Sequence, residues 1–239
     1  MILDGLADVL QLLVEVWRKQ QGRVVFALFN VSKGRLTGLL KRRALAGVLC
    51  PRFVPGKVQF QLVRFLVADE QALLTAGRQI VTIGENLAVH GVSGLLIAGF
   101  GDPGLAELKS RVDIPVTGIA EAGIAEAAKQ SRRFSIITTT PDLCDAIHRK
   151  VDESQASHLL ASVRIETGDL DAIMGDIDRM STALLKLATQ CIEEDGAEAI
   201  LIGGGPLAPA AHHIAHQISV PIVEPVRAGA MLALNRCLQ

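Results

Sequence analysis

Two rhythms of apolar and polar positions alternate along the chain. Short, nearly continuous apolar runs at RVVFALFN (23–30) and SGLLIAGF (93–100) predict buried strands, and KVQFQLVRFLV (57–67) starts with strict alternation and predicts another. Between them, residues 34–47 and 69–90 carry helical spacing. Asp102 and Pro103 are residues that favour the cap and first position of a helix, so a helix is expected to open there. PVTGIA (115–120) and FSIITTT (134–140) follow as strands, with Pro141 opening the next helix. A long helix over 175–195 precedes the strands AEAILIG (197–203) and VPIVEPV (220–226). Alternation of this kind predicts an α/β fold with mainly parallel sheets and right-handed crossovers.

The later pattern repeats the earlier one. GVSGLLIAGF from Gly91 matches GAEAILIGGG from Gly196, a separation of 105 residues, and IPVTGIAEA from Ile114 matches VPIVEPVRA from Val220, a separation of 106. Similarity at this scale predicts two lobes of one kind related by a pseudo-two-fold axis, with a cleft between them. In this register Gly99 corresponds to Gly204 and Glu224 to Gly118. The expected division is 1–118 plus 222–239 for the N-terminal lobe, with an extra helix over 1–20, and 119–221 for the C-terminal lobe.

Composition narrows the class. Apolar residues make up 49% of the 239, mostly small aliphatics, with 22 Gly and no Tyr, which suits close-packed strands and helices. Cys50, Cys144, Cys191 and Cys237 are scattered without metal-like spacing, so four buried free thiols and a cytoplasmic setting are expected, with no cofactor. Asp4, Asp8 and Glu15 interrupt the apolar start, which argues against a signal or a membrane span. Leu6, Val9, Leu10, Leu13, Val16 and Trp17 share one helical face, a pattern that favours a homo-oligomer. The net charge of −1 hides an asymmetry: residues 1–64 carry eleven Lys or Arg against three acids. With 3% aromatics the chain lacks the stacking platforms of single-strand binders, so no nucleic-acid partner is expected.

AGFGDPGLAELKSRVDIPVTGIAEA, RFSIITTTP, EEDGAEAILIGGGPLA and VPIVEPVRAG resemble the hydantoin racemase branch of the aspartate/glutamate racemase superfamily. The resemblance is strong from about residue 90 onward. It weakens toward the N-terminus, where FALFNVSKGRLT only partly resembles the first-strand motif Asn-Pro-Asn-Thr-Ser. It implies two α/β lobes with the active site between them, and cofactor-free inversion beside a carbonyl by two cysteines. By the resemblance those cysteines would stand at Gly99 and Gly204, and a missing side chain accepts no proton. A two-thiol racemase is therefore not expected.

Candidate site residues follow from the strand ends and from the resemblance. Gly99 and Gly204 either are turn glycines required for φ > 0 or tight packing, or leave space for a larger ligand or a water. Phe100, Gly101 and Gly205 could present backbone amides to an anion, and the adjoining Pro206 is expected to touch the substrate. Asn30 and Ser32 close the first strand, where ligand binding and turn chemistry compete. Thr138, Thr139 and Thr140 end another strand, one to bind substrate and another to cap a helix. Glu121 is the best-placed carboxylate for acid–base work, against the alternative of a salt bridge. Asp102 reads as a helix cap or a base, and Glu224 as a cleft or interlobe residue. His212, His213 and His216 offer an i, i+4 pair without the acid of a zinc motif, so no metal is expected. The expected ligand is a small carboxylate or a cyclic ureide or imide. The chemistry is expected to be of lyase, decarboxylase or hydrolase type, a racemase with other bases and a silent binding protein being the alternatives.

Overall fold

The computed structural model describes residues 25–29, 60–61, 69–90, 92, 94–167, 173, 176–204 and 207–238. The expected N-terminal helix, the helix over 34–47, Cys50 and the basic run at 41–43 lie outside these residues.

Among the described residues, eight strands form two four-stranded sheets, and every pairing is parallel. The first sheet has β1 (Val25–Phe29), β2 (Phe60–Gln61), β3 (Gly94–Ala98) and β4 (Val116–Gly118) in the order β2-β1-β3-β4. The second has β5 (Phe134–Thr138), β6 (Leu160–Ile165), β7 (Ala199–Ile202) and β8 (Ile222–Val223) in the order β6-β5-β7-β8. Each position of one order maps onto the other by adding four to the strand number. The two lobes predicted from the repeat are therefore present as one topology used twice.

β3 and β7 are apolar throughout because helices cover both faces of each sheet. Leu95 and Ile97 point toward α1 (Glu70–Val89) and α2 (Leu105–Arg111), joining Ile80, Leu87 and Leu108 in one core. Leu96 and Ala98 point the other way, into a core with Ile119, Val226 and Ala230. In the second lobe Ile200 and Ile202 meet α5 (Ile177–Glu193) and α6 (Ala208–Ile214), while Ala199 and Leu201 meet Ile124, Ile147 and Val151.

The helices that follow the last strand of each sheet are exchanged. α3 (Ile119–Ala127) leaves the first sheet and packs on β7, β8 and α4 (Cys144–Glu153). α7 (Pro225–Leu238) leaves the second sheet and packs on β3, β4 and β1, and the two helices also pack on each other. Glycine makes both crossings close. A Cβ on Gly123 would lie 2.7 Å from Leu201, and one on Gly229 would lie 3.0 Å from Leu96. These pairs are again 106 and 105 residues apart, so the repeat extends from strand pattern to packing detail.

Boundaries differ from the sequence reading where a strand ends sooner than its apolar run. PVTGIA is a strand only to Gly118, and Ile119 already starts α3; VPIVEPV is a strand only at 222–223, and Pro225 starts α7. β8 pairs with β7, so the chain changes lobe at the start of α7 rather than before residue 222. β6, α3 and α7 are elements that the apolar runs do not predict. No described helix is long and apolar enough to cross a membrane.

Candidate active site

Parallel pairing brings the carboxyl ends of the strands in each sheet to one edge, where open α/β folds bind ligands. Gly99 follows β3 directly and Gly204 follows β7 by one residue more, and the carbonyl of each accepts from the N–H three residues on. The Gly99 carbonyl accepts from the Asp102 N–H at 2.9 Å, and the Gly204 carbonyl accepts from the Leu207 N–H at 3.2 Å. Neither glycine is among those with positive φ, which are Gly101, Gly104 and Gly196 in the described residues. A positive φ is therefore not what Gly99 and Gly204 supply.

Beyond Gly99 the chain makes a left-handed bend, with φ of 110° at Gly101, 48° at Asp102 and 74° at Gly104. Gly104 is the N-cap of α2, so Pro103 is not its first helical residue and Asp102 does not cap it. Asp102 caps α3 instead. Its carboxylate is 2% exposed and accepts from the backbone N–H groups of Ala120 and Glu121, each at 2.8 Å. In an ordinary capping box the N-cap side chain accepts the third N–H of the helix. Here the N-cap is Gly118, and a Cβ on it would stand 2.2 Å from the Asp102 carboxyl carbon. Asp102 thus occupies the place of the missing side chain and ties the Gly99 turn to the lobe-crossing helix. Burial pushes its carboxyl up to about 7, against the two N–H donors and Lys150, which favour the ionised form.

Glu121 completes the other half of the box, accepting from the Gly118 N–H at 3.3 Å. It also accepts from Lys109 Nζ at 2.6 Å and from Arg236 Nη1 at 2.5 Å. Burial alone raises its pKa, and the two cations more than offset this, so the carboxyl sits below its ordinary value. Arg236 reaches across from α7 and also donates to the Thr117 hydroxyl at 3.0 Å. A carboxylate held this way is a fixed counter-ion and a weak base, the salt-bridge alternative of the sequence reading.

Among the threonines, Thr138 is buried and its hydroxyl donates to the Gly203 carbonyl at 3.1 Å. Gly203 has no room for a side chain, since a Cβ would lie 2.8 Å from Thr138 Cβ. Thr139 and Thr140 are half-buried, and the Thr140 side chain makes no cap bond to the turn at 141–143. Phe100 is half-buried and packs against cores of both lobes. Asn30, Ser32, Gly205 and Pro206 lie outside the described residues.

The remaining candidates separate. Glu224 follows β8 and accepts from the Val226 and Arg227 N–H groups at 2.8 and 2.7 Å, capping α7; burial holds its carboxyl above the usual range. His212, His213 and His216 are exposed, and His216 falls beyond the end of α6, so the helical pair does not form. Cys191 is fully buried, but Cys144 and Cys237 are only half-buried, contrary to the expectation of four buried thiols. Burial raises the pKa of Cys191 and of Cys237, away from the reactive thiolate.

The Asp/Glu/hydantoin racemase family model matches residues 65–233. The chain belongs to this family. Hydantoin racemase from Paenarthrobacter aurescens is 33% identical over 138 residues, 58% of each chain. The hydantoin racemase of Rhizobium meliloti is 34% identical over 144 residues, 60% of each chain. The match thus spans 58% to 60% of the length of these curated relatives. Allantoin racemase from Klebsiella pneumoniae superposes with a TM-score of 0.71 over 89% of this chain and 86% of that one, at 23% identity. Arylmalonate decarboxylase superposes with a TM-score of 0.58 over 90% and 92% of the two chains, at 15% identity. These superpositions establish the shared two-lobe fold.

Proposed function

We propose that this family member is a cofactor-independent, cytosolic enzyme of lyase type that removes CO2 from a small activated dicarboxylate. The carrying observation is the pair Gly99 and Gly204, which follow equivalent strands and have no side chains. The racemase reaction of the relatives would need a base on each face of the reacting carbon, and by the family resemblance these two positions would have to supply them. Decarboxylation reaches the same enolate without a base. The C–C bond to the leaving carboxylate breaks, CO2 departs with its oxygens, and the electron pair stays on the α-carbon, conjugated with the neighbouring carbonyl. One proton then has to arrive, and water admitted beside either glycine can bring it. Backbone N–H groups of the Gly99 turn would hold the developing oxyanion, with Thr139 and Thr140 contacting the substrate. Glu121, bound to Lys109 and Arg236, is assigned to holding the turn and α7 in place.

The test is incubation with arylmalonates and other malonate-type diacids in D2O, in parallel with 5-substituted hydantoins, allantoin, aspartate and glutamate. The expected result is CO2 release with one deuterium incorporated per turnover, and no α-proton exchange in the second group. Racemisation of any compound in the second group overturns the proposal. Saturable binding of a diacid without product overturns it in favour of a catalytically silent binding protein.

A further inference from the structure

A cavity of about 390 Å³ opens on the flank of the Gly101–Gly104 bend, between the first turns of α1 and one face of α4. Among the described residues its lining includes none of Gly99, Thr138, Thr139, Thr140 or Gly204, so it lies beside the strand ends rather than at them. The volume lies within the range of small-molecule sites. One wall is apolar, made by Leu73, Leu74, Gly77 and Ala146.

One cation around it has no carboxylate partner among the described residues. Of the three acids that line it, Asp102 is held by the Ala120 and Glu121 N–H groups, Glu107 pairs with Arg111 at 2.5 Å and Glu153 pairs with Lys150 at 2.6 Å. Arg149 is met by Glu70. Arg78 is the lining charge that no carboxylate among the described residues meets; its guanidinium donates only to the neighbouring Thr75 hydroxyl, at 3.3 Å. Lys150, with its side chain 15% exposed, stands on the opposite wall with its charge met by Glu153. Leu74, beside Arg78, is 56% exposed, an apolar surface that a ligand's body would cover.

We infer that this cavity is a second binding site, for a small organic anion whose carboxylate or phosphate meets Arg78 and whose apolar body lies on Leu73 and Leu74. A guanidinium with free donors recognises either oxyanion, and the apolar wall selects against the bare ion. The site spans helices of both lobes and touches the bend that carries Asp102, so its occupant bears on the same turn as Gly99.

Isothermal titration of the full chain with benzoate, phenyl phosphate and inorganic phosphate tests this without any turnover. Saturable binding is expected for one or both aromatic anions, tighter than for inorganic phosphate, and preference between the two identifies the oxyanion. Arg78→Ala and Leu74→Glu are both at exposed positions of α1 and should leave the melting temperature nearly unchanged. Each should weaken binding by roughly tenfold or more. Three results would overturn the inference: no saturation by either aromatic anion, affinity untouched by both variants, or displacement of the bound anion by an arylmalonate turned over elsewhere. Failure of the proposed decarboxylation leaves these readouts intact, and failure of anion binding leaves the decarboxylation standing.

Discussion

Replacing Asp102 by Asn should flatten the pH dependence of stability. The carboxyl is fully enclosed, and burial lifts its pKa from 3.8 to about 7. In the unfolded chain it returns to the ordinary value, so between about pH 4 and pH 7 the folded state binds a proton that the unfolded state has released. Stability from this group is therefore greatest at low pH and declines as pH rises toward 7, then levels off. At about 1.4 kcal/mol per pH unit, the decline between about pH 5 and pH 8 amounts to roughly 2–3 kcal/mol. The Asn side chain is isosteric and uncharged, so it lacks this component. Its amide can accept only one of the two N–H groups that Asp102 accepts, but that cost is the same at every pH. The measurement is urea unfolding followed by circular dichroism at several pH values, with the wild-type curve subtracted from that of Asp102→Asn. Titrations elsewhere cancel in the difference, and a difference flat to within about 0.5 kcal/mol across this range refutes the assignment.

Three further outcomes follow from the same geometry. Gly118→Ser should destabilise by about 3 kcal/mol or more, because its Cβ meets the Asp102 carboxyl at 2.2 to 2.4 Å. Adding Asp102→Gly should recover much of the loss by letting Ser form an ordinary capping box, a strongly non-additive pair in chemical denaturation. Arg236→Met should cost about 1–2 kcal/mol by leaving Glu121 with one cation and Thr117 without its donor; an unchanged melting curve would show that the α7 contact is idle. Gly99→Cys combined with Gly204→Cys should confer α-proton exchange on a 5-substituted hydantoin in D2O, with neither single variant showing racemisation. No exchange in a folded double variant would count against these positions as the two faces of the reacting carbon.

Local pattern was enough for the parallel α/β class and the doubled lobe, because apolar runs at strand length and a constant offset of about 105 residues are properties of the chain alone. It also located the turns at Gly99 and Gly204, since strand ends are where such runs stop. The roles of acids were another matter. Asp102 beside Pro103 has the local chemistry of a cap for its own helix, yet it caps a helix that begins 17 residues later. Glu121 stands at a strand end like a base, yet Lys109 and an arginine 115 residues away claim it. Which N–H or cation a carboxylate meets depends on where the exchanged helices dock. That docking follows from close approaches at Gly123 and Gly229 that only the assembled lobes create. Periodicity records which residues leave water; the partners that meet a buried charge, and hence its proton affinity, come from chain segments far apart in sequence.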